Sequence, residues 1–253
     1  MTRKLKKIYF IISSLFITLL HLPFLFAKSA SGSNKLVPQP APAPVTNFID
    51  SPAIAVTVAA SVYDSLRLEY AGLNRKAFDY AKKGFDKLVA QGKIINNSIL
   101  SIVDFSQPSS HKRLFIIDLK NYKMLFNTWV AHGRNSGREM ANSFSNENSS
   151  FKSSPGFYVT REPYNGGHGY SLKLDGLEKG INDNASERAI VLHGANYVNP
   201  SYISMQGFIG RSLGCPAVPV KMATPIINTI KNGTCLFIYS PAASYLQHSA
   251  TLG

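Results

Sequence analysis

The chain has 253 residues, 45% of them hydrophobic and 11% aromatic, enough apolar side chains to fill the core of one or two domains. That excludes a disordered chain, and with only two cysteines a zinc-ribbon or disulfide-stapled framework is excluded as well. Lys plus Arg number 27 against 14 Asp plus Glu, and the net charge of +13 suits an anionic partner: nucleic acid, lipid headgroups or an anionic wall polymer.

Residues 1–27 open with Arg3, Lys4, Lys6 and Lys7, continue in an apolar run over 8–20, and reach Ala27 after His21 and Pro23 break the run. This is the layout of a secretory signal peptide. Left uncleaved, the same segment would act as a membrane tether. Export points to the periplasm or cell envelope and argues against nucleic acid as the partner. Its removal takes away four positive charges and no acid, so the mature chain stays basic. Residues 28–50, rich in Pro, Ser and Ala, read as a flexible linker.

Residues 51–95 read as a helical segment. Ser51-Pro52 is a helix start, and Val58, Val62, Leu66 and Tyr70 predict a helix running to Gly72. Asn74 caps a second helix with Phe78, Ala81, Phe85 and Leu88 on one face and Gly92 just past its end.

Beyond residue 98 the apolar period changes to two, and strands are expected over 100–105, 113–119, 122–131, 156–160, 170–174, 188–193 and 235–239. Thr224-Pro225 starts a helix that reaches Lys231. The polar stretch 134–154 is long for a loop in a compact domain, which marks it as functional or mobile. Residues 96–245 therefore form a domain of α+β class, mostly β, with long loops and one helix after a cysteine loop.

Reactive residue types gather in four segments: Ala131-His-Gly-Arg134, Gly166-Gly-His-Gly-Tyr170, Leu192-His-Gly194 and Gly210-Arg-Ser-Leu-Gly-Cys-Pro216. Cys215 lies between Gly214 and Pro216, where a glycine lets backbone N–H groups converge on one point as in an oxyanion hole. A thiol needs a base or a positive environment to become a nucleophile. His193 ends the apolar run Ala189-Ile-Val-Leu192, which would hold its ring rigidly at a site edge. These residue types suit a Cys–His acyl transfer. Cys235, inside an apolar strand, reads as core, and a Cys215–Cys235 disulfide is the alternative for an exported chain.

The segment His193-Gly194, a loop, then Ser212-Leu-Gly-Cys215, a helix and a closing strand resembles the catalytic region of the YkuD-type L,D-transpeptidases. The similarity is greatest to a divergent branch, the murein L,D-transpeptidase catalytic domain family. It rests on VAHGRNSG (130–137), GFYVT (156–160), GYSLKLDGLEKGIND (169–183), RAIVLHGA (188–195) and GRSLGCPAVP (210–219). The resemblance covers roughly residues 60–240.

It implies that Cys215, deprotonated by His193, attacks the L-to-D peptide bond of a peptidoglycan tetrapeptide stem. Backbone groups of Ser212, Leu213 and Gly214 would hold the oxyanion, and no cofactor is needed. An amine acceptor makes the enzyme a transpeptidase, water a carboxypeptidase, and a lipoprotein lysine an anchoring enzyme. Arg211 is the candidate clamp for a stem carboxylate, with Arg134 and Arg138 behind it. Gly194, His168 and His132 are further candidates for the substrate groove. Leu213 departs from the better-known branch, which has a histidine there, and His132 or His168 could take that ring's place. Two rivals remain: a zinc wall hydrolase drawing ligands from His132, His168, His193 and Cys215, and a cell-wall-binding module without turnover.

Overall fold

Strands made almost wholly of buried residues, such as Leu114–Asp118 and Cys235–Tyr239, need cover on both faces. The fold supplies it. A computed structural model describes residues 61–253, so the expected signal peptide, the linker and the start of the first helix lie outside the described residues.

Eight strands form one sheet: β1 (Ile99–Asp104), β2 (Leu114–Asp118), β3 (Lys123–Thr128), β4 (Gly156–Gly166), β5 (Gly169–Gly176), β6 (Val191–Gly194), β7 (Ala217–Val218) and β8 (Cys235–Tyr239). Their order across the sheet is β3-β2-β1-β8-β4-β5-β6-β7. β1 and β8 run parallel in the centre, Leu100 opposite Cys235, although they lie far apart in the chain. β6 and β7 also pair in parallel, His193 opposite Ala217.

The period of two splits each central strand between two cores. Leu100, Ile102, Phe115, Phe157, Cys235 and Phe237 face one cluster, which helix α2 (Arg75–Ala90) covers with Phe78, Ala81, Phe85 and Leu88. Val103, Leu114, Ile116, Tyr158, Leu172, Leu236 and Ile238 face the other, covered by Ala223, Ile226, Ile227 and Ile230 of helix α4 (Val220–Ile230). Fully burying a side chain of this size is worth about 1.5–3 kcal/mol, so both helices are integral to the sheet. The expected α+β, mostly β architecture holds.

Local chemistry accounts for the element ends. The Asn74 side chain accepts the Lys76 N–H at 2.9 Å and starts α2, and Gly92 beyond its end has φ +69°. The helix expected to run to Gly72 is instead one turn, α1 (Val62–Ser65), because Arg67 takes a left-handed φ of +50° and breaks it. α4 starts four residues earlier than Thr224, at Val220, where the chain leaves β7, and it accommodates Pro225 inside. Two short helices were not foreseen: α3 (Pro200–Gln206), capped by Asn199, and α5 (Ala243–His248). The latter is fastened through Tyr245 and Ser249, whose hydroxyls both donate to the buried Glu178 carboxylate.

Candidate active site

The cysteine loop is held by a neighbouring strand-like segment. Ala131 N–H donates to Ala217 O at 2.8 Å, Ser212 N–H to His132 O at 2.9 Å, and Arg134 N–H to Ser212 O at 2.8 Å. Within the loop the Ser212 hydroxyl donates to Cys215 O at 2.7 Å and accepts Gly214 N–H at 3.0 Å. Gly214 has φ +129°, and a Cβ there would lie 2.9 Å from Lys152 O, so the turn that presents Cys215 requires glycine.

These bonds decide which amides are open. The N–H groups of Ser212 and Gly214 are engaged inside the fold, that of Leu213 has no acceptor among the described residues, and that of Cys215 is directed at its own sulfur. Of the amides of Ser212, Leu213 and Gly214, only that of Leu213 is left without an acceptor among the described residues. The Leu213 side chain is 57% exposed.

Cys215 is half-buried and unpaired, as is the buried Cys235, so neither forms the alternative disulfide. Its Sγ accepts Val191 N–H at 3.5 Å and its S–H donates to Ala189 O at 3.6 Å. Burial pushes the thiol pKa up, against the pull of the Val191 N–H and the Arg188 charge, so the resting group is a thiol that needs a base. Ala189 itself has φ +52°, a strained conformation for a residue with a side chain, and its carbonyl is the thiol's acceptor.

His193 lies two residues beyond Val191 on β6, held between Ser171 of β5 and Ala217 of β7. Its ring contacts the Gly194 carbonyl through Nδ1 at 3.0 Å. A carbonyl only accepts, so Nδ1 carries the proton and Nε2 keeps a lone pair with no partner among the described residues. Burial, then the nearby His168, lowers the His193 pKa, leaving the ring neutral at pH 7. No hydrogen bond joins this ring to the thiol in the resting arrangement. Gly194 lets β6 approach α4, because a Cβ there would stand 3.0 Å from that of Ala223.

The remaining candidates separate clearly. His168, exposed at the β4–β5 turn, stacks on His193 with ring centroids 4.2 Å apart and planes 17° from parallel. His132 is fully enclosed: Arg113 Nη2 donates to its Nδ1 at 2.7 Å, and Nε2 contacts Gly137 O at 3.2 Å. Both its nitrogens are taken, so it braces the wall behind the cysteine loop and offers no atom to a substrate. This corrects its expected place in the groove. Arg211 donates to the carbonyls of Arg134 and Gly137, and Arg138 and Arg211 both lie over the Phe208 ring. Arg134 lies over Phe151, and among the described residues none of these three exposed guanidinium groups is ion-paired with a carboxylate.

Two neighbours escaped the sequence reading. Arg188 is half-buried without a carboxylate; it donates to Ser145 O and Lys152 O and to the hydroxyls of Ser150 and Ser154. It thereby holds the long 134–154 loop in place, so that loop is a built wall. Its position just before an apolar strand was the only available signal. Tyr197 packs on Gly210 at the base of the cysteine loop; burial and the thiol together push its phenol up to about 12. Among the described residues no three His, Cys, Asp or Glu side chains converge as metal ligands.

The profile of a family described as the L,D-transpeptidase catalytic domain matches residues 69–239. Similar solved structures include an L,D-transpeptidase from Mycobacterium smegmatis, 11% identical with a TM-score of 0.35, the match covering 56% of this chain and 59% of that one. Another is an L,D-transpeptidase from Xylanimonas cellulosilytica, 12% identical, TM-score 0.31, covering 55% of this chain and 59% of that one. A third comes from Stackebrandtia nassauensis, 12% identical, TM-score 0.36, covering 63% and 66%. The chain thus spans about 59% of the length of the first of these. No curated protein matches it.

Proposed function

The chain belongs to the L,D-transpeptidase catalytic domain family, and on that premise we propose that it is an exported cysteine acyltransferase acting on peptidoglycan stem peptides. One observation carries the reading: a thiol at a glycine turn, beside the open Leu213 N–H, in contact with the backbone of a strand, β6, whose neutral histidine keeps Nε2 free.

In the proposed reaction the Cys215 proton passes to His193 Nε2 as the sulfur attacks the carbonyl carbon of the L-to-D bond. A rotation of the thiol away from Ala189 O precedes this step. The oxyanion lies against the N–H group of Leu213, which acts without reorganising because the loop's other bonds already fix it. The C–N bond then breaks, and the imidazolium gives its proton to the departing D-residue's amine. His193, neutral again, takes a proton from the acceptor as it attacks the thioester, restoring the thiol. An amine acceptor gives a 3→3 cross-link, and water gives a shortened stem.

Arg211, with Arg134 and Arg138, would attract the free carboxylates of the stems, their charge being unpaired with any acid among the described residues. Residues 1–27 as export signal, or as tether if retained, and 28–50 as linker would place residues 96–245 at the cell envelope.

The test is incubation of the protein and of C215A with tetrapeptide muropeptides, read by mass spectrometry. Release of the terminal D-residue with cross-linked dimers, absent in C215A, is the expected result. Release with tripeptide alone moves the assignment to a carboxypeptidase. No product and no acyl adduct on Cys215 would overturn the enzyme and leave a wall-binding module.

A further inference from the structure

Of the two histidines at the β4–β5 and β6 edges, only His193 is buried; His168 stands in solvent at the tip of a turn flanked by Gly167 and Gly169. An exposed ring on a glycine-rich turn has many orientations available, yet it lies flat on the His193 ring, 4.2 Å centre to centre. The hydrogen bond from Nδ1 to Gly194 O fixes one edge of His193, and Ser171 and Ala217 fix its backbone. His168 supplies the missing restraint, on the ring's face.

We propose that His168 is a positioning residue for His193: lying on the face of its ring, it fixes the plane of the base and weighs against a positive charge on it. The role of His193 as base rests on the function proposed above; the stacking does not.

The physical reason is like-charge repulsion. Two positive rings in face contact repel, so the stacked His168 opposes protonation of His193. His193 is itself 2% exposed, and its burial acts in the same direction. Other ionisable groups on the elements around His193 are Tyr170 and Lys173 on β5, Lys221 on α4, Cys215 and Arg188 beside the thiol, and Tyr197 in the loop that follows. Lys173 is paired with Glu162, Tyr170 OH donates to Asn228, and Arg188 is turned to the 134–154 loop. Among the described residues His168 is the ionisable neighbour stacked on His193, and its influence, like that of burial, lowers the His193 pKa.

The experiment is an NMR titration of the His193 ring in the full chain, assigned by its disappearance in H193Q, together with the pH dependence of kcat on muropeptides. In H168F a ring remains without its charge; in H168A both ring and charge are gone. Both variants should titrate His193 at higher pH than the unaltered protein, and the acid limb of kcat should move upward with it. At the pH optimum H168A should lose about tenfold or more in kcat with little change in KM, and H168F should recover most of that loss. An unmoved His193 titration in a folded H168F protein would overturn the inference. Should the unaltered protein show no turnover, the NMR shift still decides the stacking, and only the function proposed above fails.

Discussion

His132 and His193 are both buried imidazoles beside the cysteine loop, and burial lowers the pKa of each, His132 down to about 3. Only one of them keeps a ring nitrogen without a partner among the described residues. Arg113 donates to His132 Nδ1 while Nε2 meets Gly137 O, so that ring has no lone pair left to offer. His193 uses Nδ1 alone and keeps Nε2 open. Desolvation makes a histidine neutral; whether the neutral ring is a base or a brace depends on how many of its nitrogens the fold has already used.

The sharpest way to break this comparison is to exchange the outcomes. H193Q should lower turnover on muropeptides by about 10²–10⁴-fold, the usual share of a general base, while the midpoint of chemical unfolding stays nearly constant. H132Q should do the reverse. If both variants lose activity and stability alike, the two rings are not separable roles.

Next in size is the brace itself. Arg113 is completely buried, its guanidinium pKa lowered by burial to about 9, and it bonds Val130 O, Gln107 O and His132 Nδ1. R113M leaves those three acceptors unsatisfied and should cost about 3 kcal/mol or more in urea unfolding. A smaller loss would mean that water enters to replace the guanidinium.

A pH ramp sharpens the same point. His132 takes up protons below about 6.5 only when unfolded, because its folded pKa is about 3. The unfolded state therefore gains protons first. Stability should fall as pH drops from 6.5 towards 3, by up to about 1.4 kcal/mol per pH unit from this group. Urea unfolding of the protein and of H132Q across pH 4–7 should show the steeper slope in the former.

The smallest expected effect concerns strain at the thiol's acceptor. A189G relieves the φ of +52° at Ala189 and should raise stability by about 1 kcal/mol or less, since glycine also gains entropy when unfolded. Alkylation of Cys215, followed by intact mass, should change rate in the same variant if the Ala189 carbonyl holds the thiol.

Much of the frame was legible because it depends on local pattern. The run over 235–239 matched β8 to the residue, and Asn74 and Gly92 marked the ends of α2. The strand over 156–160 was seen only in part: β4 continues to Gly166 through Arg161, Glu162 and Pro163, polar residues tolerated where the pairing with β5 is irregular. β7 was missed because two residues between Pro216 and Pro219 carry no period at all.

At the site, the cysteine, the histidine and the glycine turn stood out by residue type. His132 misled for the same reason: a histidine in a glycine-flanked segment reads alike whether it faces a groove or an arginine. Arg113 gave no warning either, since a charged residue at a strand start normally lies at the surface.

By itself, the sequence determined the elements whose causes are local: apolar alternation, caps, glycines where φ is positive, and the order in which reactive residues follow one another. Only the tertiary structure decided what those residues became. Parallel pairing of β1 with β8, the engagement of the Ser212 amide by His132 O, and the stacking of His168 on His193 all join positions far apart in the chain. A hydrogen bond uses up a donor or a lone pair wherever its partner comes from, so which groups remain free to react is settled only when the chain has closed on itself.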